Sequence, residues 1–360
     1  MYYLLPVLIY IYYNYPDYLS LLQRLFRKLF FPINYTVPKL DQLDYPLPPF
    51  PNTWYPICSS DNIKQNNKYD FKIASKNIIL FRNDKGIIQG VPRNCPHMGV
   101  DLMYGNIDNN CIICPMHCKR VSNNVNKKVF LEETNNIIFI WIGELDNITK
   151  KPPIKMYHLF TQLNKQDDYL YSYFQFQHKV GGHLIDYAEH LLDVKHAPYI
   201  HNDTITPIKD GLIKFNHSFI TSFHLEHGGI TPVFTYITPT LVNVKYTDLA
   251  QIYIMFIVHD IGDIDMVILP CYTKTINYSE LFFSFVSVLY TYCDFADEAA
   301  FFSTKNHNIR NLNESEVEMD NFRLWFNEKF YTKEQQDLFH YLKQKNKLLN
   351  NELNNELNNW

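Results

Sequence analysis

Apolar and polar positions follow three different rhythms along this chain. The first fifteen residues, MYYLLPVLIYIYYNY, carry no charged side chain. As a helix rising about 1.5 Å per residue they would span roughly 22 Å, short of a hydrocarbon core of about 30 Å. After Pro16 the period becomes helical: Leu21, Leu22, Leu25, Phe26, Leu29 and Phe30 fall on one face, and Gln23, Arg24, Arg27 and Lys28 on the other. A basic amphipathic helix of this kind suits a membrane surface. No basic region precedes the apolar stretch and no small-residue cleavage site follows it, so a cleaved signal peptide is not expected. Residues 1–45 are read as a membrane anchor and linker, a short span or an interfacial hairpin. The basic residues after the apolar stretch favour a main body on the cytoplasmic side.

The rhythm then changes. Residues 35–53 are proline-rich and read as an extended linker. From Trp54 short β-like runs appear: YDFKIAS, NIILFR and GIIQGV, with NDKG at 83–86 as a hairpin turn. VFLEE and NIIFIWIGE extend the pattern to about residue 145, and KKPPIK at 150–155 marks a boundary. Beyond it, YLYSYFQF reads as strand and HLIDYAEHLLDVKHAPYIHND (183–203) as helix. FITSFHLE, PVFTYITPT, LVNVKYTDLA, QIYIMFIVH and MVILPCYTKT read as strands, followed by polar helices and the low-complexity NNELNNELNNW. The pattern predicts an α+β protein in four parts: 1–45 anchor and linker, 46–150 a β domain, 151–345 a second domain, and 346–360 a solvated tail.

Composition narrows the function. The 46% apolar content is ample for a core, and the net charge of −4 offers no basic field for nucleic acid. The seven cysteines are unevenly placed. Cys95, Cys111, Cys114 and Cys118 cluster, whereas Cys58, Cys271 and Cys293 are scattered; this suits a metal site in a reducing compartment better than a disulfide framework.

The cluster reads CPHMGVDLMYGNIDNNCIICPMHC. Cys95-x-His97 and Cys114-x-x-His117 each offer one thiolate and one imidazole. Two irons sharing two sulfides use that division, and neutral imidazoles in place of thiolates raise the reduction potential. A structural zinc site is the alternative, but zinc fingers pair Cys with Cys and His with His, whereas here each half is mixed. Gly99 and Gly105 would allow close backbone approach, and Cys111 and Cys118 are expected to be free, buried thiols. The text CPHMGVDL and CPMH resembles the Rieske [2Fe–2S] motif, departing from it after His117 at CKRV, where the family usually has Gly, an aromatic and Phe. Respiratory Rieske subunits carry a disulfide between their ligand loops; Val100 and Met116 stand at those positions, so that reading falls.

A second site lies at EHLLDVKHAPYIH (189–201). On one helix Glu189, Asp193 and His196 would share a face, and Pro198 would kink the chain to bring His201 round. Two histidines and a distant carboxylate make the facial triad of non-haem Fe(II). Asp193-x2-His196-x4-His201 resembles the Rieske non-haem iron oxygenases. That resemblance implies Glu298, or Asp297 with a one-residue shift, as the third Fe(2+) ligand, and Asp193 as the bridge from His196 to His117 of a neighbouring subunit in a homotrimer. It also implies a helix-grip (START-like) catalytic domain behind the Rieske domain.

NFRLWFNEKFYT (321–332) resembles the ending of the cholesterol 7-desaturase family and of bacterial 3-ketosteroid hydroxylases; Arg323, Trp325 and Phe326 are read as helix packing. The resemblance implies an enzyme at the endoplasmic reticulum membrane that uses O2 and NAD(P)H-derived electrons from a separate reductase to desaturate a sterol at C7–C8. Alternatives are a hydroxylase of another lipophilic ring, or a Rieske electron-transfer protein whose second domain is not catalytic.

Overall fold

The structure is a computed structural model. It describes residues 47–123, 129–163, 169–171, 175–190, 192–193, 196, 199, 205–225, 231–245, 250–273, 291, 298, 301–302, 305 and 317–357. The expected N-terminal anchor lies outside the described residues; among those described, no helix is long and apolar enough to cross a membrane.

Among the described residues the first part contains β1 (Thr53–Ser59), β2 (Lys68–Ile73), β3 (Lys76–Arg82), β4 (Ile88–Pro92), β5 (Asn106–Asp108), β6 (Cys111–Ile113), β7 (Arg120–Ser122), β8 (Leu131–Thr134) and β9 (Ile137–Ile142). They form three small antiparallel sheets, β1-β9-β8, β2-β3-β4 and β5-β6-β7. The NDKG turn joins β3 to β4: the Asn83 carboxamide oxygen accepts from the Lys85 and Ile87 N–H groups, and Gly86 N–H donates to Asn83 O at 2.8 Å. Local side-chain bonding of this kind is why Asn opens turns.

After helix α1 (Met156–Leu163) the chain runs through β10 (Tyr169–Tyr171), β11 (Phe176–Val180), helix α2 (Leu184–His190), β12 (Ile205–Lys214), β13 (Phe219–Leu225), β14 (Val233–Thr238), β15 (Leu241–Lys245), β16 (Ala250–Asp260) and β17 (Asp263–Thr273). These strands make one eight-stranded sheet in the order β10-β17-β16-β15-β14-β13-β12, with β11 also on β17. Helices α3 (Val317–Phe330) and α4 (Lys333–Leu357) close the described chain. Sheet-rich with few helices, the molecule matches the α+β expectation.

The two parts share one core. Trp54 of β1 packs with Phe160 of α1 and with Met255 and Leu269 of the large sheet. Its indole N–H donates to Ile154 O at 2.8 Å, and its carbonyl accepts from the Thr240 hydroxyl at 2.6 Å. At the other end the β2–β3 turn bonds to β16, with Ala74 N–H on Val258 O and Ser75 N–H on His259 O. A buried aromatic stack supports α2 from below. Phe219 lies on Tyr236 at 4.1 Å, and Phe322 of α3 meets Phe219 edge-on. The Tyr236 hydroxyl donates to Tyr187 O at 3.0 Å, tying the sheet to α2.

Helix α2 is shorter than its sequence predicts. It stops at His190, where the Leu192 and Asp193 N–H groups turn back onto Glu189 O. The Asp193 carbonyl accepts from the His196 ring, and neither Leu192 nor Asp193 is helical. Glu189, Asp193 and His196 therefore do not share one helix face.

Candidate metal centres

Two loops carry the first donor set, and they are built alike. In the first, Cys95 N–H donates to Val100 O and Gly99 N–H returns to Cys95 O, both at 2.8 Å. In the second, Cys114 N–H donates to Lys119 O at 2.9 Å and Cys118 N–H returns to Cys114 O at 3.0 Å. Gly99 and Cys118 occupy equivalent left-handed positions, at φ +73° and +51°. Cys118 is exposed, not buried as expected, because a turn of this shape points its side chain outward.

Cys95 and Cys114 are buried, while His97 and His117 are exposed at the tips. The two imidazoles meet edge-on with centroids 5.0 Å apart. The backbone N–H of Met116 holds the Cys114 thiol below its ordinary range, helped by Cys95 and by the His117 N–H and opposed by burial. Thiols lowered by backbone amides suit thiolate ligands, so the residues present fit an iron–sulfur cluster with sulfur inside and nitrogen outside. Arg93 braces the first loop, donating to Asp101 at 3.0 and 2.8 Å, while Asp101 accepts from Met103 N–H. Gly105 has no room for a side chain: an added Cβ would stand 2.2 Å from Ile113 O.

The second donor set lies at the end of α2. His190, His196 and Glu298 each bring one ligand atom to within 4.8 Å of the others. His190 Nε2 stands 2.5 Å from Glu298 Oε1, and His196 Nε2 stands 3.9 Å from the same oxygen. The two imidazoles lie against each other, tilted by 41° with 3.7 Å between centroids. Because the Asp193 carbonyl takes the Nδ1–H of His196, the lone pair of that ring sits on Nε2, toward Glu298. The Asp193 carboxylate itself is 4.0 Å from Nδ1. Glu298 is buried, and its charge helps burial raise the Tyr236 hydroxyl well above its ordinary value. Two imidazoles and a buried carboxylate suit Fe(II).

A buried ion network backs this site. Arg323 of α3 donates from both Nε and Nη2 to the Glu189 carboxylate, the second bond at 2.6 Å. Lys305 reaches Asp186 at 2.8 Å and Glu189 at 3.3 Å. Glu189 is thus engaged by two cations and is not among the grouped metal donors.

Comparison with known proteins agrees with this geometry. The family model described as the Rieske [2Fe-2S] domain matches residues 53–128. Cholesterol 7-desaturase nvd of Drosophila melanogaster is 25% identical over 173 residues, 43% of this chain and 39% of that protein. The cholesterol 7-desaturase of Caenorhabditis elegans is 24% identical over 184 residues, 46% of this chain and 41% of its own. The chain carries a Rieske [2Fe-2S] domain and is similar to Rieske oxygenases. It spans about two fifths of the length of these curated relatives. Chlorophyllide a oxygenase of Arabidopsis thaliana is 25% identical over 178 residues, 44% of this chain and 31% of that protein. Among solved structures, the oxygenase–ferredoxin complex of carbazole 1,9a-dioxygenase gives a TM-score of 0.57 at 13% identity, over 80% of this chain and 92% of that one. NdmA of Pseudomonas putida CBB5 gives 0.54 at 13%, over 76% and 89%. The likeness to these structures extends the Rieske oxygenase fold beyond the matched domain.

The structure brings Cys95 and Cys114 together with His97 and His117 at one edge of the Rieske domain, and His196 with Glu298 beside α2. His201 and Asp297 lie outside the described residues. His190 was not singled out by sequence reasoning. Its position between Glu189 and Asp193 carries no recognisable spacing, and its contact with Glu298, 108 positions on, is visible only in the fold.

Proposed function

We propose that this Rieske oxygenase homologue uses O2 and reductase-derived electrons to remove two hydrogens from cholesterol at C7–C8, giving 7-dehydrocholesterol. The observation that carries the reading is the presence, in one chain, of a Rieske domain and a separate two-histidine, one-carboxylate group. Similarity to cholesterol 7-desaturases supports the substrate class. When bound, the [2Fe–2S] cluster supplies single electrons and the Fe(2+) supplies O2 chemistry.

The chain's own residues serve these groups. Cys95 and Cys114 hold the cluster from inside, and His97 and His117 form its outward edge, where electrons enter and leave. His196 and Glu298, with His201, would hold Fe(2+). The Asp193 carbonyl keeps His196 in the tautomer that offers Nε2. The Asp193 carboxylate is the proposed bridge to His117 of a neighbouring subunit in a homotrimer. Desaturation consumes two electrons, two protons and one O2 and releases two waters, so an NAD(P)H-dependent reductase is the required partner. Residues 1–45 would bring the catalytic body to the endoplasmic reticulum membrane on its cytoplasmic side, where the sterol resides. The same site would hydroxylate another lipophilic ring if oxygen were transferred; the likeness to chlorophyllide a oxygenase favours this second reading.

The test is a sterol profile by mass spectrometry in cholesterol-fed cells lacking 7-dehydrosterols. A product two mass units lighter than cholesterol, absent with His196→Ala, is expected. A product sixteen units heavier would replace desaturation by hydroxylation. No sterol product from cells whose protein carries its cluster would overturn the sterol reading.

A further inference from the structure

We propose that His190 is a ligand of the mononuclear metal, adding a third imidazole to the set that the family resemblance implies. The inference rests on the reading of His196 and Glu298 as metal donors and extends it. Three observations carry it. His190 Nε2 stands 2.5 Å from Glu298 Oε1, closer than His196 Nε2 at 3.9 Å. Atoms bound to one ion at about 2.0–2.2 Å lie within roughly 4.4 Å of each other, and both separations fall inside that limit. The His190 ring also lies against the His196 ring, and the Nε2 of each approaches the same Glu298 oxygen.

The fold explains how His190 reaches this place. It is the last residue of α2, whose preceding residues Leu184–Glu189 are all buried. The helix is fixed at its start, where His183 Nε2–H donates to Pro48 O at 2.9 Å and the Asp186 carboxylate accepts from His183 N–H. At its end Arg323 and Lys305 hold Glu189. Phe302, edge-on to the His190 ring at 5.4 Å, walls its other side. A histidine held this firmly against a buried carboxylate and a second imidazole is arranged as a metal donor. An outer partner would do a different job, donating to Glu298 and orienting it without touching the ion.

The two roles separate by counting nitrogens. The full chain with its oxidised, diamagnetic cluster is loaded with Fe(II), and the nitric oxide adduct is examined by pulsed electron paramagnetic resonance. In His190→Gln, which keeps a hydrogen-bond donor for Glu298, we expect one imidazole fewer than in wild type. We also expect Fe(II) binding to weaken by more than about 100-fold, beyond the 10–100-fold typical of outer partners. Should the glutamine variant not load, His190→Asp, which retains a donor atom, is expected to restore loading with one imidazole fewer. An unchanged imidazole count in either variant, or failure of the aspartate variant to load while its cluster spectrum is intact, overturns the proposal. His196→Ala is the separate control: if it binds Fe(II) as wild type does, the mononuclear site itself has been misassigned.

Discussion

Cys118 illustrates what single residues disclose and what they withhold. Its place after His117 could be read as a departure from the family pattern, but its φ of +51° is visible only in the folded loop. Outside glycine, a left-handed backbone costs about 1–2 kcal/mol. Cys118→Gly should therefore raise the unfolding free energy, by roughly 0.5–1 kcal/mol once the greater freedom of glycine in the unfolded chain is counted. Urea unfolding of the cluster-loaded protein checks this; a loss of stability would mean that the thiol makes a favourable contact. The candidate donors Cys95, His97, Cys114 and His117 were legible from their spacing and their likeness to the Rieske motif, and the fold brings the two histidines together. His190 was not, because a histidine's role there depends on where a helix ends.

Helix α2 and its partner α3 show where element-level reading succeeds and fails. The strands from β13 to β17 were legible as apolar runs rich in β-branched and aromatic residues, although β14, β15 and much of β16 are buried on both faces and do not alternate. Among the described residues, the long helix predicted over 183–203 is interrupted at Leu192 and Asp193, where the Asp193 carbonyl accepts from the His196 ring. Arg323 was read as helix packing, and it does sit on α3, yet its charge does the joining: it pairs with buried Glu189 and anchors α2. Removing one partner of a buried pair costs about 3–5 kcal/mol, because the remaining charge stays desolvated. Arg323→Ala should destabilise the protein by about that amount, less whatever Lys305 recovers, and should loosen Fe(II) binding at the end of α2. Thermal unfolding and an iron titration report the two effects. A variant as stable as wild type would show that the network contributes nothing to the placement of α2.

At the scale of the molecule, the joint between the Rieske sheets and the large sheet holds a titratable contact. His259 on β16 bonds to Asp265 Oδ2 at 2.7 Å and to Lys72 O of β2 at 3.0 Å, and the Asp265 hydrogen bond raises its pKa above the ordinary 6.5. The folded protein therefore holds this proton more tightly than the unfolded chain. The stabilisation is complete below about 6.5 and drains away as pH climbs through the raised value. Buried His183 has the opposite sign: burial lowers its pKa, so its contribution is present above 6.5 and is lost on acidification. Unfolding free energy should accordingly fall above neutral pH in wild type and fall less in His259→Gln. Equal alkaline slopes in the two proteins would remove His259 from the joint. That joint was not legible in the sequence, because Lys72 and His259 are 187 positions apart and nothing local pairs them.

The claim that unites these scales is that one chain holds two separate iron centres. Iron and acid-labile sulfide should be counted in purified full-length protein before and after mild chelation. About three irons and two sulfides per chain are predicted, falling to about two irons on chelation with the Rieske spectrum unchanged. His196→Ala should start at about two. Wild-type protein that holds only two irons after Fe(II) loading, or zinc with no sulfide, would contradict the account.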